Sequence, residues 1–399
     1  MARELTAYDL ISACDDNSVD AGITIKTDLQ PIAGDGTPVK PATYAGGKFQ
    51  TGRRWIQNGS ERVIADILVI DNEPSQANRL EAALKSHRDD LGLPDIVLDL
   101  GNDVKLPAHL PAQISIFDFP HRNADAYLRD SMIDGVSFNK TDIGKRIFDS
   151  TGNNADALLE WCPQALLFGF WQSHLGKNAS QAKRARSWTS EIVGVDPAAE
   201  SVYRLGLKGD PLNLNADEDV EIADELDEAS WKFSSSKKSE SNTENSGSKS
   251  KKLSKVGHGQ VPVGSSDVLA GVSFREIFQQ ATLSFASLRT IRRDTASAEA
   301  RALLAALGLA AHIAAFGHAF TLRSGADLRP RSTRWTWLGE SSDEDLVVPS
   351  FEKARSIFSE CVNRAIQAGL PVGDWTRNRL MVAPSASLVE AIKKSWPVA

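Results

Sequence analysis

Residues 232–256 (KFSSSKKSESNTENSGSKSKKLSKV) limit the possible folds more than any other stretch of this chain. They consist almost wholly of Ser, Lys, Asn and Glu, with almost nothing to bury. Such a segment cannot offset the entropy lost on ordering, and it reads as a disordered, solvated insertion. A lysine tail that touches phosphates is the sharper alternative. Just before it, 217–228 (DEDVEIADELDE) holds eight acids and no base. That stretch reads as a short helix or as part of the same loop. The 399-residue chain is thereby divided into an N-terminal part, 1–216, an insert, 217–256, and a C-terminal part, 257–399.

The net charge of −7 argues against a nucleic-acid partner only while it is taken as a single number. The charge is uneven: 217–228 alone contributes −8, whereas 289–334 has eight arginines against three acids. Binding depends on local patches rather than on the total. Cys14, Cys162 and Cys361 are odd in number and far apart. That excludes a disulfide framework and a cysteine-cluster zinc site, and it fits a reducing cytoplasm. Residues 1–10 mix Arg3, Glu4 and Asp9 with apolar residues, unlike a secretion signal. The apolar run 302–316 falls short of the roughly 20 residues of a membrane span and contains His312. A soluble, cytoplasmic protein without a membrane partner is expected.

The pattern of apolar residues predicts mixed α+β structure. Ile23, Ile25 and Leu29 share one face of a strand that runs into Pro31, and 62–70 reads as a nearly continuous buried strand. A helix over 76–87, capped by Ser75, turns Ala77, Leu80 and Leu84 inward and places Gln76 and Arg79 on another face. Short strands are predicted at 95–100, 164–171 and 186–193, and a short helix at 142–149. In the C-terminal part, a long β-like segment over 272–291 precedes an alanine-rich helix from 296 to about 317. A strand at 319–323, a basic stretch to Trp337 and an amphipathic helix at 351–368 complete it. The elements do not alternate as βαβ units do.

No catalytic constellation emerges. Gly46-Gly47-Lys48 lacks the first glycine and the Ser/Thr of a phosphate loop, and there is neither a G-x-S-x-G elbow nor H-E-x-x-H. His312 and His318, six apart, point about 120° away from each other on a helix and cannot share a metal. No metal or cofactor is expected. Binding features are better represented, because basic residues recur beside aromatic ones. These clusters are Tyr44 and Lys48 with Arg53, Arg54 and Trp55; His121 and Arg122 with Tyr127 and Arg129; Lys183, Arg184 and Arg186 with Trp188; Arg289 with Arg292 and Arg293; and Arg323 to Arg334 with Trp335. Single-stranded nucleic acid is held by such combinations, in which cations meet phosphates and planar groups stack on bases.

Several of these stretches carry a family resemblance. The run IDNEPSQANRLEAAL (70–84), preceded by PATYAGGKF (41–49), resembles the Csb-type RAMP family. These are the "Cas-seven" backbone subunits of type I-G CRISPR effector complexes, formerly type I-U. FPHRNADAYLRDS (119–131), DIGKRI (142–147), ALLFGFWQSH (165–174), RSWTSEIVGVD (186–196), GHGQVP (257–262), LSFASLRTIRR (283–293) and LRSGADLRP (322–330) follow in the same order. The length and charge of the 217–256 insert depart from the family pattern.

The resemblance implies a modified RRM-like, ferredoxin-like core with large insertions and a thumb-like hairpin, begun by 1–216 and completed by 257–399. It also implies copies polymerised head to tail along the spacer of a CRISPR RNA, presenting it to a target DNA strand. Further implied partners are a fused RAMP subunit that processes the guide, a large subunit and a recruited helicase-nuclease. Such a protein binds phosphate and sugar rather than base edges. The expected RNA-binding residues are Gln76, Asn78 and Arg79 at an exposed helix start; Lys48, Arg53 and Arg54 near the glycine-rich loop; and Arg122, Arg129, Arg184, Arg186, Arg292 and Arg293. The N-terminal part (−7) and the C-terminal part (+3) differ in sign, so an acidic face meeting a basic one between copies is a further expectation. The alternatives are an endoribonuclease with His121 as base and a scaffold that binds only protein.

Overall fold

Eight strands form the principal sheet of the computed structural model: β1 (Gly22–Pro31), β2 (Thr51–Asn58), β3 (Glu61–Asp71), β4 (Trp188–Pro197), β5 (Phe274–Ser284), β6 (Phe320–Arg323), β7 (Ala326–Leu338) and β8 (Asp343–Leu346). The structure describes all residues except 1, 45–47, 102, 103, 105, 173–182, 199–201, 204–206, 209, 210, 213, 215–217, 225, 226, 234–250, 257, 259, 260, 263–268 and 397–399. The spatial order is β6-β7-β1-β5-β4-β3-β2, with β8 on β7, and all these pairings are antiparallel. Five helices matter here: α1 (Ala7–Ala13), α2 (Glu73–Ser86), α3 (Pro163–Phe168), α4 (Ser297–Phe316) and α5 (Phe351–Gln367). The path β1–α2–β4–β5–α4–β7, with strands lying in the order β7-β1-β5-β4, is the split β-α-β arrangement of a ferredoxin-like core. The β2–β3 hairpin is an insertion between β1 and α2. Strands from both sides of the 217–256 insert therefore share one sheet.

Alternation along the strands sets the two faces. Ile23 and Ile25 of β1, Trp188 of β4, Ala281 and Leu283 of β5, and Trp335 and Trp337 of β7 are buried in one cluster with α1, α2, α4 and α5. Helix α4 is the centre of that cluster, and Ala302 through His312 are all buried. It is long and apolar enough to cross a membrane by length and composition, yet 83% of its apolar window lies buried inside the fold. An all-round apolar helix needs such an enclosure. Cys14, Cys162 and Cys361 are free and buried. A second sheet joins the chain's end to its first half. Arg379–Pro384 runs parallel to Asp95–Asp99 and antiparallel to Ser131–Ile133.

Four expectations change. Residues 163–168 are helical rather than strand: Pro163 opens α3, and Gly169, at φ +79°, ends it before a two-residue strand at Phe170–Trp171. A short run buried on every side has no periodicity to separate the two states. The long β segment stops at Ser284, whose side chain caps the turn Phe285–Leu288. The cap of α2 is Asn72, and Ser75 instead donates to Asp71. The described part of the acidic stretch is mainly strand rather than helix or loop. Asp219–Asp224 is a strand between Asp227–Phe233 and Lys251–Lys252, with Asp219 and Lys252 ion-paired at 3.2 Å. Of the segment read as disordered, 234–250 lies outside the described residues.

The opposite signs of the two flanks are met within the chain. Arg293 binds Asp156 at 2.5 Å, Arg301 binds Asp16 at 2.7 Å and Arg323 binds Asp71 at 2.7 Å.

Candidate nucleic-acid interface

Three separate stretches of the sequence converge on Asp71, the fully buried last residue of β3. Its carboxylate accepts from Ser75 Oγ at 2.9 Å, Gln76 Nε2 at 2.6 Å, Arg79 Nε at 2.9 Å and Arg323 Nη2 at 2.7 Å. Arg323 also donates to the carbonyls of Lys40 and Ile70, and Arg79 to that of Leu322. SQANR and LRSGAD are thereby tied to one point, and the Ala42 N–H of PATYAGGKF donates to the Ile70 carbonyl beside it at 3.1 Å. Tyr44 lies at the outer edge of this cluster, where partial burial and the Asp71 charge raise its phenol above the usual range. The Tyr44 N–H donates to the Lys48 carbonyl at 2.9 Å.

This arrangement corrects the role expected for Gln76 and Arg79. Gln76 is fully buried rather than exposed. Its Oε1 accepts from Ser190 Oγ and Gln279 Nε2, both at 2.7 Å, so it fastens α2 to the two central strands β4 and β5. Arg79 is half-buried against Asp71. Asn78 alone of the three faces solvent.

The other expected cations divide in the same way. Arg122 is buried in a bidentate pair with Glu81, both contacts at 2.7 Å, and donates to the Gly169 carbonyl at 3.0 Å. Arg122 therefore turns away from solvent, which leaves the exposed His121 without it as a partner for RNA cleavage. Arg184 is buried, and burial pushes its guanidinium down to about 10. Arg186 is half-buried. Arg293 is held by Asp156, Arg129 by Asp130 at 2.8 Å, Arg53 by Asp66 at 3.1 Å and Arg54 by Glu191. Lys48 and Arg292 are exposed, and neither has an ion pair among the described residues. Two aromatics expected beside cations, Trp188 and Trp335, belong to the core.

The side of the sheet away from the helices carries a pattern the motif search missed. Thr336, Thr24, Thr282 and Thr189 form one row across β7, β1, β5 and β4. The next row is Arg334, Lys26, Gln280 and Glu191, with Arg54 bound to Glu191. In the third row, Ser332 donates to Asp28 at 2.6 Å, and Phe278 lies under Lys26, whose Nζ is 4.9 Å from the ring centroid. These side chains are half-buried or exposed, and their hydroxyls and cations suit phosphate and sugar oxygens. The signal was present in the alternation of Thr24, Lys26 and Asp28 with Ile23, Ile25 and Thr27. Among the described residues, no group of three or more His, Cys, Asp or Glu is placed to hold a metal ion.

No curated protein matches the chain significantly. Residues 23–198, which contain nearly all of β1, the β2–β3 hairpin, Asp71 with Ser75, Gln76 and Arg79, and β4, match the model of the CRISPR-associated protein GSU0053 family, a match that supports a role in CRISPR defence.

Proposed function

We propose that the protein is a non-catalytic, RNA-binding backbone subunit of a type I-G CRISPR effector complex. Copies of it line the spacer of a CRISPR RNA head to tail and present the guide to one strand of target DNA. The observation that carries this reading is the open face of the ferredoxin-like sheet, on which rows of threonine, lysine and arginine lie where a buried sheet would be apolar. Hydroxyl and cationic groups spread over a flat surface bind a sugar–phosphate backbone without reading bases, as a subunit serving any spacer requires. The CRISPR-associated family match supports the same reading. The proposed partners beyond RNA and further copies of the chain are a fused guide-processing RAMP subunit, a large subunit and a helicase-nuclease that joins on target recognition.

Expression of the chain with a CRISPR array tests the proposal. Purified protein should carry RNA, seen as a raised ratio of absorbance at 260 nm to that at 280 nm, and the extracted RNA should be spacer-containing. Protein free of RNA points to the scaffold reading instead. Metal-independent cutting of repeat RNA that His121→Ala abolishes would establish the nuclease reading.

A further inference from the structure

One flank of the molecule pairs an exposed aromatic ring with cations that have no carboxylate partner among the described residues. The two-residue strands Phe170–Trp171 and Lys183–Arg184 pair so that Phe170 faces Arg184 and Trp171 faces Lys183. Phe170 and Arg184 point inward and are buried, while Lys183 and Trp171 point outward. Trp171 is 63% exposed, with Lys183 Nζ 5.9 Å from its ring centroid.

Arg184 fixes this pair of strands. It donates to the Leu166 carbonyl at 2.8 Å, Thr290 Oγ1 at 3.1 Å, Ser187 Oγ at 3.1 Å and the Ser287 carbonyl at 3.3 Å. All four partners are neutral, so the guanidinium charge is held beneath the surface without a counter-ion. Lys183 makes no ion pair among the described residues. A flat hydrophobic ring beside this lysine, with the Arg184 charge beneath the strand pair, suits a ligand that is planar and anionic at once. A nucleotide within a single strand has both properties: its base stacks on the ring and its phosphate meets the cations.

We propose that Trp171, with Lys183, forms a base-stacking site for single-stranded RNA. Arg184 is a positioning residue that holds the strand pair in place. The proposal rests on the reading of the chain as an RNA-binding subunit, and it adds a stacking contact to the backbone contacts of the sheet face. Stacking is blind to base identity, so the site is compatible with any spacer.

Fluorescence anisotropy of the full-length protein with labelled single-stranded RNA, measured across a salt series, tests the site. Trp171→Ala should weaken binding about 5- to 150-fold, the range for loss of one aromatic–base stack, with an unchanged salt slope. Trp171→Phe should restore most of that loss. Lys183→Gln should lower the salt slope by about 0.7. The exposure of Trp171 makes an unchanged melting curve the expected control. If the wild-type protein binds RNA and Trp171→Ala binds equally well, the stacking site is refuted while the RNA-binding reading stands. If the wild type itself fails to bind, both fall. Loss of self-association with intact RNA affinity would identify Trp171 as a protein contact and overturn the proposal.

Discussion

Gln76→Ala separates a structural from an RNA-contacting role for the most specific motif in the sequence. The wild-type amide donates to Asp71 at 2.6 Å and accepts from Ser190 and Gln279 at 2.7 Å each. After truncation, Ser190 and Gln279 still reach one another at 3.2 Å, but both lose their better partner, and Asp71 loses a donor. A buried group left unpaired costs about 1–3 kcal/mol, and the lost methylene about 0.8 kcal/mol more. Partial re-pairing within the cluster brings the expected destabilisation to about 3 kcal/mol. Urea unfolding should show it as a lower midpoint with an unchanged slope. Asn78→Ala, two residues along the same helix but exposed, should stay within about 0.5 kcal/mol of wild type. In RNA binding, folded Gln76→Ala should keep the wild-type salt slope. A Gln76→Ala protein that unfolds with the wild type and yet loses RNA affinity would refute the reasoning, because the amide would then be reaching solvent.

Three other outcomes are expected. Simultaneous Lys26→Gln, Lys48→Gln and Lys183→Gln should lower the single-strand salt slope by about 2, at about 0.7 per phosphate contact, with little change in melting temperature. Arg122→Met should cost about 3–5 kcal/mol in a denaturation series, because Glu81 stays buried without its partner, and Glu81→Met added to it should recover part of that loss. His312 sits between Trp188, Phe316 and Trp335, and burial pushes its imidazole down to about 3. The unfolded chain binds a proton there below about 6.5 while the folded chain does not, so stability is lost as pH falls through that window. The stability of His312→Phe relative to wild type should therefore improve by about 2 kcal/mol between pH 7 and pH 5, and a pH-independent difference would contradict the assignment.

Periodicity made the strands and long helices legible and left the direction of polar side chains obscure. The strand at 61–71 follows from its nearly continuous buried run, the helix at 297–316 from its long alanine-rich run and the helix at 351–367 from its 3–4 spacing. Gln76 was also legible in principle. It stands four residues before Leu80 and eight before Leu84, on the stripe α2 buries, and its polarity was the misleading signal. Asp71 could not be found this way, because its partners come from the following helix and from a strand some 250 residues further on. The run at 163–168 carries no period because it is buried on all sides.

The cations divide by chemistry rather than by position in the chain. Arg122, Arg184, Arg289, Arg301 and Arg323 all donate to backbone carbonyls as well as to any acid they meet. A planar guanidinium has five donors and can close several loop ends at once, whereas an ammonium is a strongly hydrated point charge. Arginine is therefore used to fasten the insertions of the ferredoxin-like core onto its sheet. Lys26, Lys48 and Lys183 remain outside without an ion pair among the described residues. An arginine-rich segment in such a fold thus marks joints, and under the proposed function RNA would be met by the lysines and the sheet threonines. It follows that arginine substitutions here should move unfolding midpoints first. Lysine substitutions should instead move the salt dependence of RNA binding.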